Sequence, residues 1–161
     1  MAGRLVNALG AAAKTAEAFS DRSTLRHMLR FEAALTVAVA RAGLIPKKHV
    51  PVIEQACEPD LYDPLALAET ARRNLTLTVA VVRALTAEVR KRDAAAAASV
   101  HWGATSQDLI DTAMVLQLGE AVPPLIDDLH RIVAALAGLA RRHRTTPLLG
   151  RTLLQPATPL A

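Results

Sequence analysis

From Ser20 onward, apolar residues return at helical intervals. Leu25, Met28, Leu29, Ala33, Leu35 and Val39 form one stripe with Glu32 set into it, and Ser20-Asp21 supplies a cap just before. Gly43 and Pro46 end this first long helix: glycine accepts the left-handed closing turn, and proline cannot extend the ladder. A shorter helix is predicted over His49–Cys57, with Pro51 in its first turn, where a missing N–H is harmless. Pro59 and Asp63-Pro64 bracket a turn, and helical sequence follows through Arg72. Residues 75–92 are apolar, with Arg83, Glu88 and Arg90 on one side. Their threonines and valines favour strand, but the length of the run decides for helix.

An alanine-rich connector, Asp93–Ser99, precedes the longest pattern, Gln107 to about Arg144. Its stripe is Leu109, Ala113, Leu116, Leu125, Leu129, Ile132, Leu136 and Leu139. Pro123-Pro124 interrupts it. A mid-helix proline removes a hydrogen bond and clashes with the preceding turn, at about 3 kcal/mol, so a kink or a short break is expected there. Thr145–Ala161 carries three prolines and reads as extended loop, whereas residues 1–18 have no clear period and read as a loose arm. Broad stripes on long helices need partners to cover them, and the chain stops where a new element should begin. The expectation is an all-α protein that is a fragment, or a subunit dependent on association.

Composition supports helix over sheet. Apolar residues are 52% of the chain and aromatics 2%, so its apolar surface is mainly alanine, leucine and valine. The net charge of +4 comes from short basic groups: Lys47-Lys48-His49, Arg72-Arg73, Arg90-Lys91-Arg92 and Arg141-Arg142-His143-Arg144. Several fall at expected helix ends, where cations offset the macrodipole. With few aromatics for bases to stack on, no nucleic-acid partner is expected, although the positive field would help collect a small polyanion. The single Cys57 excludes an internal disulfide framework and fits a reducing compartment. It lies in an apolar helical stretch, as a buried inert thiol would. Lys14 and Glu17 interrupt the first residues, giving no signal peptide, and no uncharged run reaches the ~18 residues of a membrane span. A soluble, cytoplasmic protein without a membrane partner is expected.

The richest chemistry lies in His101-Trp102-Gly103-Ala104-Thr105-Ser106-Gln107-Asp108, with Asp111-Thr112 after it. A histidine stands before a glycine turn, and two hydroxyls and an amide open a long helix. Free N–H groups at a helix start receive anions, and hydroxyls there add donors, so a substrate carboxylate would suit the place. His101 would supply a proton or a further hydrogen bond. A plain capping box from Thr105 to Asp108 accounts for Thr105, Ser106 and both aspartates without any ligand, and both readings stand on the residues alone. No HExxH, CxxC or phosphate-cradling glycine loop occurs, so neither a metal nor a cofactor is expected.

The run His101–Thr112 resembles the first conserved region of the fumarase/aspartase superfamily, and its wording is similar to that of 3-carboxy-cis,cis-muconate cycloisomerases. Gly150-Arg151-Thr152-Leu153-Leu154-Gln155-Pro156 resembles the second conserved region, and Phe19-Ser20-Asp21-Arg22 through Glu32-Ala33-Ala34-Leu35 looks like the start of these enzymes. The resemblance covers roughly residues 18–161. It implies a helical domain over 19–99 after the 1–18 arm, then over 100–161 the start of the superfamily's central helical bundle, incomplete. It implies that Thr105, Ser106 and Gln107 contact a substrate carboxylate, with His101 and Ser106 in the catalytic machinery. Arg151, Thr152 and Gln155 would line the same pocket from another subunit of a homotetramer. The implied reaction is lactonisation of 3-carboxy-cis,cis-muconate, a small polycarboxylate of aromatic-compound breakdown.

Three departures shape that implication. Leu153 stands where most lyases of the superfamily have a proton-handling histidine, which points from adenylosuccinate lyase-like activity to the cycloisomerases. Arg73-Asn74-Leu75 lacks the glycine and the following proline that the cycloisomerases tend to have nearby. The third conserved region, with its catalytic serine loop, is absent from these residues, so this length of chain is expected to be inactive alone. A superfamily lyase and a non-catalytic helical interaction domain are the competing readings.

Overall fold

The computed structural model describes residues 13–160. Most of the predicted 1–18 arm lies outside the described residues. A short helix, α1 (Ala13–Glu17), leads into α2 (Asp21–Arg41). The Ser20 hydroxyl accepts the Ser23 N–H at 3.2 Å, and Asp21 sits in the first turn of α2. At its other end Gly43 takes φ +75°, and the Leu44 N–H reaches back to the Val39 carbonyl at 3.0 Å. This is the glycine-closed end the sequence predicts.

The region predicted as His49–Cys57 divides into a 3-10 turn, Lys47–His49, and α3 (Val50–Ala56) with Pro51 in its first turn. Tyr62 Oη donates to the Ala56 carbonyl at 2.6 Å, and burial makes that phenol a weaker acid than usual. The next helix, α4 (Pro64–Asn74), is capped by Asp63, whose Oδ1 accepts the Leu65 N–H at 3.0 Å. It packs along α5 (Leu77–Arg92). Thr and Val do not turn α5 into a strand, because Ala80, Val81, Leu85 and Val89 recur on one face and are all buried. In the connector, Asp93 Oδ1 accepts the Ala95 N–H and the Ala96 N–H, starting a 3-10 turn over Ala96–Ser99.

The core joins these pieces. Leu25, Met28 and Leu29 of α2 meet Ile53 and Ala56 of α3, Leu67 of α4, the buried face of α5, and Leu109 and Ala113 of α6 (Ser106–Arg142). Fully burying side chains of this size contributes about 1.5–3 kcal/mol each, so this cluster dominates the folding energy. Two polar ties run through it. The His49 and Ser99 side chains meet at 2.8 Å, and Gln117 Nε2 donates to the Ala18 carbonyl and Thr24 Oγ1, each at 3.0 Å.

The chain forms two compact units, Met1–Val122 and Pro123–Ala161. Of the kink or short break expected at Pro123-Pro124, the break does not occur: helix α6 continues through the pair. The residues around the pair are mostly exposed, so water can take the Gly119 and Glu120 carbonyls that lose their donors. The tail is a correction. Instead of extended loop, Leu148–Arg151 (β1) and Pro156–Leu160 (β2) form an antiparallel hairpin, with Leu149 opposite Pro159 and an irregularity between Leu149 and Arg151. Proline is tolerated because a two-stranded ribbon has only edge strands.

Helix α6 is long and apolar enough to cross a membrane. It carries Asp111, Glu120, Asp127, Asp128 and Arg131 along its length, charges a span would have to neutralise. Its apolar residues include Leu125, Leu129, Ile132 and Leu136, each at least half exposed within the second unit. A stripe of this kind is the face a helix presents to other helices of a bundle.

Candidate active site

Glu32 occupies the α2 face that builds the core, and none of its surface reaches solvent. A charged side chain there requires a partner. Its Oε1 lies 2.6 Å from His101 Nδ1, a contact between residues 69 apart in sequence. Oε2 has no hydrogen-bond partner. Burial raises the Glu32 carboxyl above its ordinary range, and the hydrogen bond and charge of His101 pull it back down. His101 itself is mostly enclosed, with its side chain 16% exposed, and its backbone is left-handed at φ +55°. Gly103, at φ +75°, completes the turn into α6.

At the start of α6 the capping box forms. Thr105 N–H and Oγ1 both donate to Asp108 Oδ2 at 2.8 Å, and the Asp108 N–H returns to Thr105 Oγ1 at 3.3 Å. These bonds hold the Asp108 carboxyl below its usual range. Thr105, Ser106 and Gln107 are nevertheless all exposed. Gln107 Nε2 donates to Asp111 Oδ1 at 2.5 Å, and Ser106 is exposed at the first position of α6. Thr78 Oγ1 of α5 donates to the Ser106 carbonyl at 3.4 Å, which ties this end of α6 to the core. The place can therefore offer donors to an anion at Ser106–Gln107 beside a histidine, whose charge also acts on Asp108.

Arg151, Thr152 and Gln155 lie in the second unit, at the turn of the hairpin, and all three are exposed. Thr152 N–H and Oγ1 donate to the Gln155 carbonyl at 2.8 and 3.1 Å, and the Gln155 N–H donates to Thr152 Oγ1 at 3.1 Å. The Thr152 hydroxyl is thus spent on shaping the turn, while the Arg151 guanidinium and Gln155 amide remain outward. Leu153, at 89% exposure, sits at the tip of this turn.

Sequence reading did not single out Glu32 as a functional group. The available signal was a carboxylate in an otherwise apolar stripe. Cys57 is half-buried, and burial with the nearby Glu32, Glu54 and Glu58 carboxylates pushes its thiol up to about 12, so it stays protonated, as its sequence context suggests. No group of His, Cys, Asp or Glu with metal-binding geometry occurs among the described residues. Clefts of about 290 Å³, lined by Leu25, Met28, Leu65 and Leu77, and of about 410 Å³, lined by Tyr62, Arg83 and Glu88, lie away from His101 and Thr105.

A family model described as lyase matches residues 7–161. A 3-carboxy-cis,cis-muconate cycloisomerase of Bradyrhizobium diazoefficiens is 52% identical over 89% of this chain and 32% of its own length. A nitrosuccinate lyase of Streptomyces davaonensis is 44% identical over 88% of this chain and 30% of its own. The crystal structure of the 3-carboxy-cis,cis-muconate lactonizing enzyme from Pseudomonas putida superposes with a TM-score of 0.89 at 42% identity, covering 98% of this chain and 36% of that one. The chain spans about a third of the length of these relatives.

Proposed function

Because the chain belongs to the lyase family of the fumarase/aspartase superfamily, on its 3-carboxy-cis,cis-muconate cycloisomerase branch, we propose that the protein lactonises 3-carboxy-cis,cis-muconate. The observation that carries this reading is the junction at the start of α6. An enclosed, carboxylate-paired His101 stands just before exposed Ser106 and Gln107 donors. In the reaction one substrate carboxylate oxygen adds to a carbon of the diene, and the neighbouring carbon, next to another carboxylate, takes a proton. One C–O bond and one C–H bond form and one C=C bond is lost. Negative charge builds on the carboxylate beside the protonated carbon, and preorganised donors aimed at that charge lower the barrier.

Ser106, with the N–H groups of Ser106 and Gln107, grips that carboxylate. His101 handles the proton. For Thr105 to join them, its two bonds to Asp108 must be exchanged for bonds to substrate. Arg151, Thr152 and Gln155 reach the same pocket from another subunit, and the exposed stripe of α6 supports an oligomer, a tetramer in this reading. The same reading makes the protein soluble and cytoplasmic, and assigns the 1–18 arm, the 19–99 helical domain and the opening of the bundle from residue 100.

The test is to add 3-carboxy-cis,cis-muconate to the assembled protein and follow the ultraviolet absorbance of the diene. The signal should fall, and Ser106→Ala should slow turnover by roughly a hundredfold. An unchanged diene signal would reject lactonisation. The nitrosuccinate lyase relative supports a second reading, elimination from a substituted succinate. Appearance of an unsaturated dicarboxylate from such a substrate, with carboxymuconate left intact, would establish it instead.

A further inference from the structure

Four observations converge on Glu32. It is a carboxylate with no exposed surface, on the buried face of α2 beside Met28 and Leu29 of the core. One oxygen meets His101 Nδ1 at 2.6 Å. The other oxygen is buried with no partner, a defect native folds rarely keep without a functional use. His101 is held in a left-handed backbone conformation that a β-carbon disfavours by about 1–2 kcal/mol, so the fold maintains this contact against local strain.

We infer that Glu32 is the positioning residue of His101: its buried carboxylate accepts the Nδ1–H, fixes the ring's orientation and tautomer, and leaves Nε2 as the face that exchanges a proton. An imidazole has two nitrogens, and the partner of one decides the state of the other. With Nδ1–H engaged by Glu32, Nε2 carries a lone pair in the neutral ring. It can take a proton, and the imidazolium so formed can return it to a substrate carbon. The carboxylate stabilises that imidazolium without itself being protonated. The pair in turn acts on its surroundings: the His101 charge lowers the Asp108 carboxyl, and the Glu32 charge helps raise the Cys57 thiol. Assigning Nε2 to the reacting proton rests on the lactonisation reading, whereas the tautomer does not.

The deciding measurement is nitrogen–proton correlation spectroscopy on the unmodified chain with isotope-labelled histidine, His101 being assigned by its loss in His101→Gln. The expected neutral ring has hydrogen on Nδ1 and a bare Nε2. Hydrogen on Nε2 with bare Nδ1 would mean that Glu32 is the donor, and the proposal would be overturned whatever the reaction. In Glu32→Leu the fixed tautomer should give way to a mixture of the two neutral forms, because the carboxylate that accepts the Nδ1–H is gone. A tautomer unchanged in Glu32→Leu also overturns it.

In the assembled enzyme, Glu32→Gln should lower kcat by roughly tenfold to a hundredfold with KM within about twofold. Adding Glu32→Gln to His101→Gln should cost nothing further, whereas a merely structural glutamate would add its own loss. Failure to lactonise carboxymuconate, with the Nδ1–H tautomer intact, removes the reaction and leaves the pair standing.

Discussion

Leu75 and His101 share a backbone anomaly: each takes φ +55° without being glycine, and each stands in the turn that leads to a helix. Their surroundings differ in every other respect. The Leu75 side chain is 94% exposed, and Thr76, at the N-cap of the following helix, makes no side-chain cap bond. His101 is enclosed, bonded to a buried carboxylate from another helix, and followed by a complete capping box. Strain at Leu75 is unopposed local cost. Strain at His101 is held by a tertiary contact, and only that combination indicates a constrained site.

The largest expected effect comes from applying one change to both turns. Glycine at 101 relieves the left-handed strain but leaves Glu32 buried with no partner. We expect His101→Gly to destabilise the chain by about 2 kcal/mol at neutral pH, because an orphaned buried carboxyl costs more than the strain returns. The pH dependence identifies the cause. Burial raises the folded Glu32 value, so this group's stability contribution is full below its unfolded value and is lost as pH rises through the folded one. Without His101, which lowers that folded value, the loss extends further upward in pH. Denaturant melts should therefore show a small deficit near about pH 4 and the full deficit near about pH 7. A deficit equal at both would show that Glu32 is not its source.

The caps give the next effect. Thr105→Ala removes a hydroxyl that both accepts from and donates to Asp108, and should cost about 1 kcal/mol. Thr76→Ala removes a hydroxyl with no cap bond and should stay within about 0.5 kcal/mol. The Asp108 carboxyl is held below its usual value of 3.8, with the Thr105 backbone contributing first and its hydroxyl second. A depressed carboxyl stabilises above its unfolded value and loses that contribution as pH falls through the folded one. The Thr105→Ala deficit should accordingly shrink in acid. Equal losses at the two threonines would erase the distinction between the turns.

What the sequence made legible follows the range of the interactions. The ends of α2 were readable because Ser20, Asp21 and Gly43 act within a turn of where they stand. The Thr105–Asp108 box was readable for the same reason, and it forms while Ser106 and Gln107 stay exposed, so the capping reading and the ligand reading coexist. The hairpin was not legible, because strand pairing such as Leu149 with Pro159 is non-local and its proline content argued for loop. The unbroken helix at Pro123-Pro124 depended on whether water could reach two carbonyls, which periodicity does not report. The Glu32–His101 pair, 69 residues apart, left only the trace of one misplaced charge.

The smallest effect is the clearest test of what Leu75 contributes. Leu75→Gly loses almost no buried surface, since the side chain is 94% exposed. It removes about 1–2 kcal/mol of left-handed strain and adds about 0.4–1 kcal/mol of unfolded-chain entropy that folding must overcome. The balance is a gain of about 0.5–1 kcal/mol, measurable as a rise in the denaturation midpoint with an unchanged slope. The cycloisomerases that this sequence resembles tend to carry glycine and proline near this turn, so the substitution moves it toward the local chemistry its backbone already adopts. Destabilisation instead would mean that the exposed leucine is covered by something in the assembled protein, and the two left-handed turns would then be alike in being held from outside.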